Sequence, residues 1–124
     1  MKSNFDNNDI LLNPDYVSTA DLNSDQFRIL IFIAANVTKC DLVEDLGGQT
    51  ISKGFLEYRL EQEEGFKSST ISYALKKLEN SNIIKYHKRK NLYQLNPSAV
   101  WVPYNPDSPG ERDSDSFELL KQMF

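Results

Sequence analysis

The chain carries a single cysteine, Cys40, and a single histidine, His87, among its 124 residues. One cysteine cannot close an intramolecular disulfide, and with one histidine it cannot build a structural zinc site. The lone histidine also removes most Ser-His-Asp chemistry. Glycine is scarce, at five residues, and none sits in a phosphate-cradling loop. Glu61, Glu63 and Glu64 crowd together, but nothing pairs them with a nucleophile or a metal set, so they read as a solvated face. Long apolar runs are missing too. The longest, Ile29 to Ala35, falls far short of the roughly 20 residues that span a bilayer. Met1 to Asp6 leads into no apolar segment, so no secretory signal is expected. Together these absences predict a cytoplasmic protein that is not an enzyme and has no catalytic residues, cofactor, metal or membrane contact.

What is present is enough to fold. Hydrophobic residues make up 40% and charged residues 26%, close to an ordinary globular chain, and the length fits one domain. The net charge of −4 argues against nucleic acid until its distribution is examined. Residues 1–23, 24–65 and 106–124 are all acidic, with net charges of −3, −4 and −3. Residues 66–105 set seven cations, Lys67, Lys76, Lys77, Lys85, Lys88, Arg89 and Lys90, against Glu79 alone, for a net +6. Phosphate attraction acts over about one Debye length, ~10 Å, so this local concentration outweighs the total.

Residues 1–23, rich in Asn and Asp, read as an extended N-terminal arm with one short strand at most near Ile10-Leu11-Leu12 and a turn at Asn13-Pro14. Residues 24–102 read as the folded domain. Ser24 is the expected cap of a first helix reaching about Val37, whose apolar residues spread almost all round it. Gly47-Gly48 marks a chain reversal and Thr50-Ile51 a short strand. Ser52 caps a second helix over about 53–64, expected to bury Phe55, Leu56 and Leu60, with Gly65 as its left-handed terminator. Ser68 or Ser69 caps a third helix to about Asn80, with Ile71, Ala74, Leu75 and Leu78 as its apolar stripe. Two strands follow, 83–88 and 92–95, around a polar tip at Arg89-Lys90-Asn91. Alternation puts Ile84, Tyr86, Tyr93 and Leu95 inward and Lys85 and His87 outward. Ala99 to Val102 closes the core. Residues 103–124 form an acidic tail, with a short amphipathic helix expected over 114–124.

The expected fold class is mainly α with a small β-hairpin (α+β), in the order helix, reversal, helix, cationic hairpin. That order belongs to a winged helix-turn-helix domain, in which the third helix enters the major groove by its N-terminal end. Ser68, Ser69, Thr70 and Ser72 are small hydroxyls suited to that approach. Tyr73, Lys76 and Lys77 continue the exposed side, and Lys85, Lys88, Arg89 and Lys90 supply the wing. These eleven residues are the candidate DNA-binding set.

The run Ser69-Thr70-Ile71-Ser72-Tyr73-Ala74-Leu75-Lys76-Lys77-Leu78-Glu79-Asn80-Ser81-Asn82-Ile83-Ile84 resembles the recognition helix and following strand of bacterial winged-helix regulators, including the MarR type. Extended through Tyr93-Gln94-Leu95-Asn96-Pro97 to Trp101, it resembles RepL-type plasmid replication proteins. The resemblance implies a double-stranded DNA-binding protein of bacterial, plasmid or phage type, acting in transcription regulation or plasmid replication and maintenance. Tyr73 stands where such regulators often carry Arg, which shifts weight from a guanine contact to phosphate contacts and shape readout. The excess apolar surface of the first helix predicts a homodimer. The rival reading is a protein-interaction module on the same scaffold, binding a host or partner protein through the tail from Phe117 to Phe124.

Overall fold

Asn13 and Pro14 open a helix rather than a turn. In the computed structural model, which describes residues 10–37, 49–102 and 124, Asn13 is the N-cap of α1 (Pro14–Ala20). Its side chain accepts from Asp15 N at 3.0 Å, and Pro14 takes a first-turn position where no N–H is needed. The helix ends at Asp21, in the left-handed region at φ 55°. This corrects the extended arm expected there, because Asn-Pro serves a helix start as well as a turn. The strand near Ile10 does form, as β1 (Leu11–Leu12), which pairs antiparallel with β5 (Val100–Trp101). Ala20 is buried in the core, and Ile10, Leu12, Tyr16 and Leu22 pack against it. Residues 1–9, the reversal at Gly47-Gly48, Cys40, and the linker and amphipathic helix expected in the tail lie outside the described residues, Phe124 excepted.

Helix α2 (Ser24–Asn36) is capped by Asn23, one residue before the expected Ser24. Asn23 and Gln26 form a reciprocal capping box, Gln26 N donating to Asn23 Oδ1 at 2.8 Å and Asn23 N to Gln26 Oε1 at 3.0 Å. Ile29, Leu30, Ile33 and Ala34 are buried, and Phe32 is partly buried against the core. Phe27 alone among its large apolar residues is as much as 36% exposed. Most of the apolar excess that predicted a dimer is therefore covered within one chain.

Strand β2 (Thr50–Ser52) leads directly into α3 (Lys53–Gln62), where Ser52 Oγ caps Phe55 N at 3.4 Å. Leu56 and Leu60 are buried as expected. Phe55 is not: it is 44% exposed and lies beside the Arg59 guanidinium, 5.2 Å from the ring centroid. Phe55 sits one residue, about 100° of helix, off the position that Leu56 and Leu60 share. Arg59 also stacks on Phe32 at 5.7 Å, and its Nε reaches Glu63 at ion-pair distance without hydrogen-bond alignment. Gly65 takes φ 77°, the left-handed conformation expected of it.

Helix α4 (Ser68–Asn80) buries Ile71, Ala74, Leu75 and Leu78, the full predicted stripe, against α2, α3 and the sheet. Strands β3 (Ile84–His87) and β4 (Leu92–Leu95) form the hairpin, and β2 adds to it in the order β2-β4-β3. The register pairs Ile84 with Leu95 and Tyr86 with Tyr93, the four residues that alternation places inward. The protein is thus a mixed α+β fold: helices packed on one small antiparallel sheet, with the β1–β5 pair joining the two ends of the described chain.

Two polar residues inside this fold have structural work. Gln49 is completely buried at φ 61°. Its Nε2 donates to Val100 O at 3.1 Å, and its Oε1 accepts from Val102 N at 2.7 Å. Asn96 bridges Asn82 O, through Nδ2 at 2.8 Å, and Ser98 N, through Oδ1 at 3.0 Å. The Leu95-Asn96-Pro97 sequence therefore turns the chain from β4 towards β5.

Candidate functional site

The start of α4 is set by the turn before it. Gly65 reverses the chain, Phe66 N donates to Leu60 O at 3.0 Å, and Lys67 stands at the N-cap in extended conformation. Neither serine caps the helix: Ser68 and Ser69 lie in its first turn, one and two residues past the cap. Lys67 offers no side-chain acceptor, so the first amides of α4 have no side-chain cap. Ser68, Ser69 and Ser72 are exposed, and Thr70 is half-buried. The hydroxyls of the three serines have no hydrogen-bond partner among the described residues.

Further along this face, Tyr73 is 76% exposed, too open for a packing residue. It lines a shallow depression of about 540 Å³ with Gln26, Lys76, Lys77 and Asn80. Lys76 is exposed, whereas the Lys77 ammonium donates to Asp21 O at 3.3 Å, tying α4 to the end of α1. Lys77 is thus partly committed to the fold. Gln26 and Lys53 border the α4 surface and Asn80 ends it, none of them singled out from the sequence as a site residue. Gln26 reads only as a helix residue, and its place beside Tyr73 follows from the packing of α2 on α4.

The hairpin tip is braced rather than loose. Lys90 N donates to His87 O at 3.2 Å, and Asn91 turns the chain at φ 54°. Tyr86 Oη donates to Asn91 Oδ1 at 2.7 Å, and Lys53 N to Asn91 O at 3.1 Å, which joins the tip to the start of α3. Lys88, Arg89 and Lys90 are all exposed on this support. The turn thereby presents three cations from one short segment of fixed backbone.

Lys85 belongs elsewhere. Tyr86 and Tyr93 share the sheet face turned to the helices: their rings lie 5.0 Å apart, Lys53 Nζ sits 5.7 Å from the Tyr86 ring, and Tyr93 borders α4. Strand alternation puts Lys85 on the opposite face, where its ammonium donates to Phe124 O at 2.6 Å and lies 5.2 Å from the Phe124 ring. His87, expected to project into solvent from that face, is half-buried and shares a 2.9 Å hydrogen bond with the buried Gln94. Lys85 is exposed on this far face, and the sheet separates it from the α4 surface.

Of the eleven candidates, Ser68, Ser69, Ser72, Tyr73 and Lys76 stand exposed on α4, and Lys88, Arg89 and Lys90 on the hairpin tip. These residues offer hydroxyl, ammonium and guanidinium donors and one exposed ring. No group of three or more His, Cys, Asp or Glu residues among those described is placed to hold a metal ion, and no described helix is long and apolar enough to cross a membrane. No protein-family model, curated protein or solved structure matches the chain.

Proposed function

We propose that the protein binds double-stranded DNA through α4 and the hairpin, as a winged helix-turn-helix domain. The observation that carries the reading is the exposed outer side of α4, with Ser69, Ser72, Tyr73 and Lys76 unburied within the one basic stretch of an acidic chain. The order α2, β2, α3, α4, β3, β4 and the strand order β2-β4-β3 support the winged-helix assignment. The uncapped amides of α4 and the hydroxyls of Ser68 and Ser69 suit phosphate. Tyr73 and Ser72 would meet base edges or the groove wall, and Lys76, Lys88, Arg89 and Lys90 would set affinity through the backbone. The role built on that binding would be transcription regulation or plasmid replication and maintenance. A single chain on DNA is the simplest form, since α2 keeps little apolar surface for a dimer. Fluorescence anisotropy on a short random duplex tests the proposal: Lys76→Glu should weaken binding strongly, and wild-type protein without affinity would refute it. Phe55 and Tyr58, exposed on α3, favour the second reading, a protein-binding surface, which that negative result would leave standing.

A further inference from the structure

Two depressions flank α4, and their walls differ in charge. The groove towards α3 and β4, beside Tyr93, sets Lys53 and Lys76 against Glu57 and Glu79, and Lys53 lies 3.9 Å from Glu57. The depression towards α2 is lined by Tyr73, Lys76, Lys77 and Asn80 of α4 and by Gln26 of α2, with no described carboxylate. Its four α4 residues follow the i, i+3, i+4, i+7 spacing of one helix stripe. That stripe stands two residues, about 200° of helix, from the buried one of Ile71, Ala74, Leu75 and Leu78. On the α2 side a polyanion therefore meets cations and amides, whereas on the α3 side it meets two carboxylates. Gln26 adds a donor to the α2 wall. Its Oε1 accepts from Asn23 N at 3.0 Å, which fixes the amide and leaves the two N–H groups of Nε2 without an acceptor among the described residues. Asp25, its neighbour in sequence, is paired with Arg28 at 3.7 Å.

We propose that one strand of the bound duplex follows the α2 side of α4, and that Gln26 is a phosphate-contacting residue there. Its Nε2 and the Lys76 ammonium donate to non-bridging oxygens of the backbone. Lys77, held by Asp21 O at 3.3 Å, braces the helix at this place. The inference rests on the DNA reading and deepens it. It brings α2 into the interface, and it fixes the side of α4 on which the backbone runs, away from Glu57 and Glu79.

Duplex binding by full-chain variants, followed by fluorescence anisotropy, is the test. Gln26→Glu keeps an acceptor for Asn23 N and puts a carboxylate in the first turn of α2, where the helix dipole favours it, so the fold is preserved. It should weaken binding at least about tenfold, because the new charge faces phosphate. Gln62→Glu, the same change of charge at the exposed end of α3, should alter affinity less than about threefold. Gln26→Lys asks the question with the opposite sign: the slope of log K against log salt should steepen by roughly 0.9, one added phosphate contact. Glu79→Gln, which would help a strand on the α3 side, should tighten binding less than about threefold. Gln26→Glu binding as the wild type does, Gln26→Lys leaving the slope unchanged, or Glu79→Gln tightening binding about tenfold would each overturn this inference alone. A wild-type protein without affinity for duplex would overturn the DNA reading and this inference together.

Discussion

Replacing Gln49 with Ala should destabilise the protein by about 2–5 kcal/mol, because it strands two buried backbone groups at once. The lost side chain is the partner of Val102 N at 2.7 Å and of Val100 O at 3.1 Å. Each buried group left without a partner costs about 1–3 kcal/mol, against a total stability of about 5–15 kcal/mol for a domain. The backbone conformation supplies a control. At φ 61°, Gln49 is held where L-residues lose about 1–2 kcal/mol, a strain that glycine avoids. Gln49→Gly should therefore be less damaging than Gln49→Ala, although it deletes the same hydrogen bonds. Urea unfolding followed by the fluorescence of Trp101, the only tryptophan and a neighbour of both stranded groups, measures all three proteins. A loss below about 1 kcal/mol for the alanine variant would show that Gln49 does not hold this junction.

Tyr73→Ala should leave the melting temperature nearly unchanged, since the side chain is 76% exposed, while cutting discrimination between specific and random DNA by about 1–3 kcal/mol. A large fall in melting temperature would make it a packing residue. Lys85→Ala should leave DNA affinity unchanged in the same anisotropy assay, because the sheet separates Lys85 from α4; a loss equal to that of a wing lysine would contradict this placement. Stability should fall as pH rises from about 10 to 12. The unfolded Tyr93 phenol ionises near 10 while the folded one, raised to about 12 chiefly by burial, holds its proton over that range. Tyr93→Phe should flatten that part of the stability curve, and an undiminished slope in the variant would assign it to other groups.

The elements with a strong period were legible before any coordinates. The stripe Ile71, Ala74, Leu75 and Leu78 has a spacing only a helix satisfies, and the alternation through Ile84 and Tyr86 marked the inward face of the hairpin. Asn13-Pro14 was not legible, because the same residue types that make a turn also cap a helix and start its first turn. Gln49 gave no signal at all: a lone glutamine after two glycines acquires its role only when β4 and β5 converge on it. For the candidate site, composition found the basic stretch but could not sort it by face. Alternation alone separates Lys85 from the α4 side, yet its charge counted equally with that of Lys88 until the sheet was placed between them. The groove beside Tyr93 joins α3, α4 and β4, and no local pattern brings Lys53 near Glu79.

The central claim, that α4 and the hairpin tip bind the phosphate backbone, is tested most directly by the salt dependence of duplex binding. With Lys76, Lys88, Arg89 and Lys90 in contact, log K should fall against log salt with a slope of roughly −3 to −4. In the variant with Lys88, Arg89 and Lys90 all changed to Ala, the slope should shrink to roughly −1, with the loss alike on all sequences. A slope in the variant equal to that of the wild type would mean that the hairpin tip does not touch DNA, and the account of the site would be wrong.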